Sequence, residues 1–344
     1  MSLDELTERE RLVFLSIIHG FVKTAEPVGS RYLAKYYNLN LSPSSIRNVM
    51  TDLEEKGLIA QPHTSAGRIP TDSGFRKYVN SLTGIAKLST EERNTIIQRL
   101  ARFSQDMDLI IEKASEVMSD ISSQLGVALA PRFNQGHVEK IDLVPVAEGK
   151  LLLVLSIRSG LVKTIMLEIN ENVPRDLVET TVQILNERLH DLTVDELQSS
   201  LFDRFKDIDE KSRSLIEAIG HNTLDLMSTE STRSIHLTGT RFVISQPEFE
   251  STDKIGKILE LIDRRDLLIR VLGENQKEGV SIVIGEENQE ALMKHCSVIT
   301  TTYRYEDAVG TIGVIGPTRM QYDKVIALVT FMADTLSYFM SKSK

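Results

Sequence analysis

The dipeptide Ser42-Pro43 constrains this chain more than any other feature. Serine accepts a hydrogen bond well at an N-cap, and proline presets φ at the first helical position, where a backbone N–H would have no intrahelical partner. A helix is therefore predicted to begin here. Ile46, Val49, Met50 and Leu53 follow at the three- and four-residue spacing of one buried stripe, and Gly57 supplies the stop. Upstream, Leu12, Leu15, Ile18 and Val22, widened by Phe14, Ile17 and Phe21, predict a helix over about residues 5–23, broken at Glu26-Pro27-Val28-Gly29. A short helix over about 29–37, with Leu33, Ala34 and Tyr37 inward, and a turn over Asn38–Leu41 complete the run. Two short helices joined by a tight turn and preceded by a third give the core of a helix-turn-helix.

Leu58-Ile59-Ala60 then reads as a strand, Gln61 to Gly67 as a turn-rich tip, and Arg68-Ile69 as a return strand before Pro70. Thr71-Asp72-Ser73 can cap one more helix carrying Phe75, Tyr78, Val79 and Leu82. Three helices, a hairpin and a helix follow the order of a winged helix. On the third helix the buried stripe leaves Ser44, Ser45, Arg47, Asn48 and Thr51 outward. Arg can fork onto guanine O6 and N7 and Asn onto adenine N6 and N7, while small residues at a helix start let amides approach a phosphate. A wing sets cations against phosphates or in the minor groove, which makes His63 and Arg68 candidates beside the tip, with Arg76 and Lys77 as further phosphate contacts. The alternative is a solvated polar face with no partner.

The net charge of −9 argues against a nucleic-acid binder only until it is divided. Residues 1–80 hold ten Lys/Arg against nine Asp/Glu, a net of +1, and Lys23 to Tyr78 hold eight against five, a net of +3. Residues 81–344 hold 30 against 40, a net of −10. Positive potential on the first domain would steer DNA there while the remainder repels it.

Pro27-Val28-Gly29-Ser30-Arg31, Ser45-Ile46-Arg47-Asn48-Val49-Met50, His63-Thr64-Ser65-Ala66-Gly67-Arg68-Ile69-Pro70-Thr71 and Gly74-Phe75-Arg76-Lys77-Tyr78-Val79 together resemble HrcA, the heat-inducible repressor family of bacterial chaperone operons. Phe75 stands where the family pattern has Tyr, and Pro43-Ser44-Ser45 varies the start of the third helix. The resemblance implies a homodimer binding duplex DNA at an inverted-repeat operator of the CIRCE type, with the GroEL chaperonin promoting the DNA-binding form. It also implies a GAF-like fold after the winged helix, with an inserted dimerisation domain.

Beyond residue 85, Ser89–Phe103 and Met107–Leu125 read as helices. Ile141–Val146, Leu151–Ile157 and Leu161–Ile169 read as an antiparallel meander, with turns at Glu148-Gly149-Lys150 and Ser159-Gly160. Strands are expected over about 280–284, 298–303 and 309–315, before a final helix with Val325, Leu328, Val329, Met332, Leu336 and Phe339 on one face. The intervening block is more helical, near 175–190, 208–229 and 253–265, with short strands near 235–245. The expected organisation is α+β and multidomain: a winged helix-turn-helix over 1–85, linker helices and the first part of a GAF-like domain over 86–170, an inserted dimerisation domain over 171–274, and the rest of the GAF-like domain over 275–344. One large continuous α+β domain is the alternative.

Other classes find little support. No nucleotide-binding loop, nucleophile elbow or dinucleotide fingerprint is present, and no Cys/His cluster has zinc-ligand spacing, so no catalytic residue, metal or cofactor is expected. Adjacent His295 and Cys296 would point to opposite faces of a strand. With one cysteine, no signal segment and no long apolar run, the expected location is cytoplasmic, away from membranes. The runner-up function is a repressor that senses a small molecule in its GAF-like domain.

Overall fold

The computed structural model describes residues 5–64, 66–82, 87–131, 136–158, 162–169, 173–230, 235–274, 279–305 and 308–342. Helix α1 (Glu8–Thr24) starts at Thr7, whose hydroxyl accepts from the Glu10 N–H while the Glu10 carboxylate accepts from the Thr7 N–H. It ends at Ala25, in the left-handed region at φ 58°. Helices α2 (Ser30–Tyr36) and α3 (Pro43–Glu55) pack on it, and the Ser42 side chain accepts from the Ser45 N–H at 3.2 Å. Val13, Phe14, Ile17, Ile18, Leu33, Ile46 and Leu53 close the core, each such burial contributing about 1.5–3 kcal/mol.

Strands β1 (Ile59–Ala60) and β2 (Ile69–Pro70) pair antiparallel, with Ile59 opposite Pro70, and lead into α4 (Asp72–Asn80). The expected order of three helices, hairpin and helix is present. Val28 adds a bridge that the sequence did not suggest, exchanging backbone hydrogen bonds of 2.9 Å with Arg68 in both directions. Gly67 permits this approach, since a Cβ there would collide with the Val28 carbonyl.

Helices α5 (Thr90–Ala101) and α6 (Met107–Ser122) follow, then strand β3 (Leu125–Leu129). The sequence placed Leu125 at the end of α6. Ser123 at φ 55° stops the helix earlier, and β3 is buried along its whole length, so it carries no alternation to betray it. Next come β4 (Val138–Ala147), β5 (Lys150–Ile157) and β6 (Val162–Glu168), with α7 (Arg175–Leu189), α8 (Val194–Ser200) and α9 (Glu210–Glu230). The chain continues through β7 (Ile235–Thr238), α10 (Thr240–Ile244), α11 (Thr252–Asp263), α12 (Arg265–Glu274), β8 (Ser281–Ile284), β9 (Cys296–Tyr305), β10 (Ala308–Pro317) and α13 (Tyr322–Ser341). The strand expected near 235–245 is thus a strand only to Thr238 and then a helix.

Two larger sheets result. One has the order β7-β3-β10-β9-β8, and the other is the antiparallel meander β4-β5-β6. The turn expected at Ser159-Gly160 lies outside the described residues. By compactness the chain divides into a unit of residues 1–128, 236–302 and 312–336 and a unit of residues 129–235, 303–311 and 337–344.

The expected boundaries at 170/171 and 274/275 do not coincide with this division. The expected first part of the GAF-like domain includes the meander. Instead, Ile141, Leu143, Leu153, Leu155, Ile165 and Leu167 share one apolar cluster with Val178, Leu185, Leu189, Leu215 and Ile219 of the following helices. A sheet with one apolar face must cover it, and the nearest amphipathic helices in sequence do so.

Helix α13 is long and apolar enough to cross a membrane by length and composition. Within the first unit, however, Val325, Leu328, Val329, Met332 and Leu336 are buried, as in a core helix of a folded domain. Cys296 is buried while His295 is exposed, and burial pushes the thiol up to about 12.

Candidate nucleic-acid interface

The face of α3 opposite its core stripe is open. Ile46, Met50 and Leu53 are buried and Val49 half-buried, whereas Ser44, Ser45, Arg47, Asn48 and Thr51 are exposed. At 3.6 residues per turn these five residues span about 160° of arc. Asp52 and Glu55 are exposed on the same side further along, which confines a face suited to anions to the first turns of the helix. The Ser42 hydroxyl lies 2.9 Å from those of Ser44 and Ser45, and Thr51 turns its hydroxyl back onto the Arg47 carbonyl at 3.2 Å. These small side chains are folded down against the helix. Arg47 and Asn48 are left as the projecting groups, and among the described residues neither takes a hydrogen-bond or ion-pair partner.

The helix is held firmly from behind. Lys56, just past its end, donates to Glu10 on α1 at 2.5 Å. That donation, with the Thr7 N–H, holds the buried Glu10 carboxyl below its ordinary range. Thr71 and Ser73 both donate to the Gly57 carbonyl, at 2.7 and 2.8 Å, which ties the hairpin exit to the end of α3.

The hairpin tip carries exposed His63, and the Gln61 side-chain amide braces it by donating to the Thr64 and Ala66 carbonyls at 2.9 and 3.0 Å. Sequence reading missed Gln61, since a lone glutamine in a turn carries no signal. Arg68 is differently placed from its expectation. Its guanidinium pairs with Glu54 of α3 at 2.8 Å and is mostly covered, so it joins hairpin to helix. Two exposed cations that the sequence reading did not single out, Arg31 and Lys35, lie on α2.

Arg76 and Lys77 are not part of this face. Arg76 donates through Nε and a terminal nitrogen to Glu287, at 2.7 and 2.5 Å, and to the Ile282 carbonyl at 2.6 Å, all within the same compact unit. Lys77 is 5% exposed, and among the described residues its Nζ has no hydrogen-bond partner and its ion-pair contact is with Glu5 at 3.9 Å. The reading of this pair as phosphate contacts is corrected: α4 turns them into protein. The periodicity of Phe75, Tyr78 and Val79 showed the buried side of α4 but could not show that Ile282 and Glu287, distant in sequence, cover Arg76.

Known proteins were compared against this geometry. A family model described as the HrcA protein C terminal domain matches residues 108–326, a region separate from the motif blocks of residues 27–79. Proteins named Heat-inducible transcription repressor HrcA match nearly end to end. The one from Chlorobium phaeobacteroides strain BS1 is 38% identical over 99% of this chain and 100% of its own length. The chain belongs to the HrcA family. A second HrcA relative, from Moorella thermoacetica, is 35% identical over 96% of this chain and 97% of its own. A crystal structure described as that of a hypothetical protein at 2.2 Å resolution covers 100% of both chains at a TM-score of 0.59 and 22% identity, a likeness of fold alone.

Proposed function

We propose that this HrcA-family chain represses transcription of chaperone operons by binding, as a homodimer, an inverted-repeat operator of the CIRCE type. In this reading the first domain is a winged helix-turn-helix, and α3 enters the major groove. The observation that carries it is the open first part of α3, where Arg47 and Asn48 project, unpaired among the described residues, from a helix anchored by Ser42, Lys56 and Arg68. Arg47 would fork onto a guanine and Asn48 onto an adenine. Ser44, Ser45 and Thr51 would line the groove, and His63 would reach the flanking backbone from the hairpin tip.

Two-fold symmetry of the protein matches that of an inverted repeat. The dimer surface is proposed in the second unit, where β4-β5-β6 covers its helices with one face and leaves Val144, Val146, Val162 and Met166 uncovered on the other. Val144, Leu152 and Met166 are in register across the three strands, forming an apolar row of the kind that marks association surfaces. The domain containing the five-stranded sheet is read as GAF-like. The GroEL chaperonin would promote the DNA-binding form, so that heat, by engaging the chaperonin elsewhere, raises expression.

The test is a fluorescence-anisotropy titration of an inverted-repeat duplex and a scrambled control at two salt concentrations, with and without GroEL. The reading predicts a preference for the inverted repeat that survives moderate salt and strengthens with chaperonin. Equal affinity for both duplexes at each salt concentration would remove it.

A further inference from the structure

Within the first unit, the DNA-binding head meets the residues behind it through four contacts among the described residues, three on α4 and one at the end of α1. At the start of α4 the Asp72 carboxylate accepts from the Glu286 N–H at 3.0 Å and occupies the space where a Cβ on Gly285 would be. Gly285 has φ +53°, so both its conformation and its contact suit glycine. One turn on, Arg76 forks onto Glu287 and donates to the Ile282 carbonyl. Between them the buried Phe75 ring packs at 5.7 Å from Tyr322, which is itself fixed by hydrogen bonds of 2.7 Å to the Ser297 hydroxyl and the Thr318 carbonyl. At the end of α1, Arg319 donates to the Val22 carbonyl at 3.0 Å while Glu248 and Gln246 hold its other nitrogens. That cation answers a carbonyl that the end of a helix leaves unpaired.

These contacts leave α3 untouched and fix the helices on which it rests. Burial alone would raise the Glu287 carboxyl, yet donation from Arg76 and from the Ile284 N–H holds it below its ordinary value, so the fork stays charged. We infer that the turn 285–287 and Arg319 form a latch that sets the orientation of the DNA-binding head, so that the two heads of a dimer present α3 at the separation of an inverted repeat. The inference rests on the dimeric operator-binding reading and names the element that regulation acts on. Simultaneous engagement of two half-sites gains affinity only when geometry allows both, and a head already oriented avoids the cost of ordering on binding. A latch of a few charged and aromatic contacts is also a local structure that opens before the domain cores melt.

The experiment compares wild type, Glu287→Arg, Gly285→Ala and the charge swap Arg76→Glu with Glu287→Arg, each as the full-length chain. Two quantities are read: affinity for an inverted repeat and for a single half-site, and hydrogen exchange of the α4 amides. Glu287→Arg is expected to lose about tenfold or more on the inverted repeat, less than about twofold on the half-site, and protection in α4. Gly285→Ala, which perturbs the same contact without changing charge, should shift both quantities the same way, and the charge swap should regain most of the loss. Unchanged inverted-repeat affinity with exposed α4 amides, an equal loss on both duplexes, or a charge swap no better than Glu287→Arg would overturn the latch. If wild type shows no preference for the inverted repeat, the operator reading has failed instead, while hydrogen exchange still reports whether the contact holds α4.

Discussion

Helices α3 and α4 belong to one small domain, and each carries cations that a sequence reading offers to DNA, yet they use them in opposite ways. On α3, Arg47 stands beside Asn48 on an exposed face with no protein partner among the described residues. On α4, Arg76 is taken by Glu287 and Lys77 is enclosed. The difference lies in what each helix has behind it. Helix α3 buries one stripe against α1 and α2 and keeps the rest for solvent. Helix α4 is covered by its own domain on one side and by Tyr322, Ile282 and Glu287 on another. A cation is free to meet a phosphate only where the fold has not already supplied its counter-charge.

The contrast can be broken most forcefully at Phe75. Phe75→Ala removes a buried ring that meets both Phe21 and Tyr322 and should cost about 3–5 kcal/mol in denaturant unfolding. A cost below about 1 kcal/mol would mean that α4 is not packed as described. On α3 the prediction reverses: Arg47→Ala should leave the thermal midpoint unchanged and cost roughly 1–3 kcal/mol of operator binding, with relaxed selectivity at one base position. Ser42→Ala removes the N-cap of the same helix and should cost about 1 kcal/mol of stability, seen as a lower denaturation midpoint.

Beneath α3, the lowered pKa of Glu10 makes a pH prediction. The folded state favours its carboxylate, so the stability it contributes is present above the ordinary glutamate value of 4.5 and is lost as pH falls below it. Comparing wild type with Glu10→Gln across that range should show a gap at neutral pH that closes in acid. A gap that widened instead would reverse the assigned sign. Smallest of all, Lys77→Met replaces an enclosed ammonium that lacks a hydrogen bond among the described residues and should be neutral or stabilising by about 1 kcal/mol, with operator affinity unchanged.

The head was legible because its signals are local. Ser42-Pro43, Gly57 and Thr71 each fix a helix end by chemistry within three residues, and the caps and stripes they predict are present in α3 and α4. Legibility stopped where partners are distant in sequence. Arg76 lies 211 residues from Glu287, and nothing near α4 in sequence announces that carboxylate. Arg68 pairs with Glu54, 14 residues earlier on α3, a partner that the sequence of the hairpin itself does not announce. In the rest of the chain, alternation revealed the meander because one of its faces is open, while β3, buried throughout, was absorbed into the preceding helix. The helical partners of the meander were not legible, because periodicity says that a face is buried without saying by what.

The central claim, that the open face of α3 reads DNA and the cations of α4 do not, is tested most directly by one competition titration. Wild type, Arg47→Ala and Lys77→Met are each measured against an inverted-repeat duplex with scrambled duplex as competitor, at two salt concentrations. The account predicts that Arg47→Ala lowers the preference for the inverted repeat by about tenfold or more while Lys77→Met matches wild type in affinity and salt dependence. An Arg47→Ala chain as selective as wild type, beside a Lys77→Met chain with weakened binding and a shallower salt dependence, would contradict it.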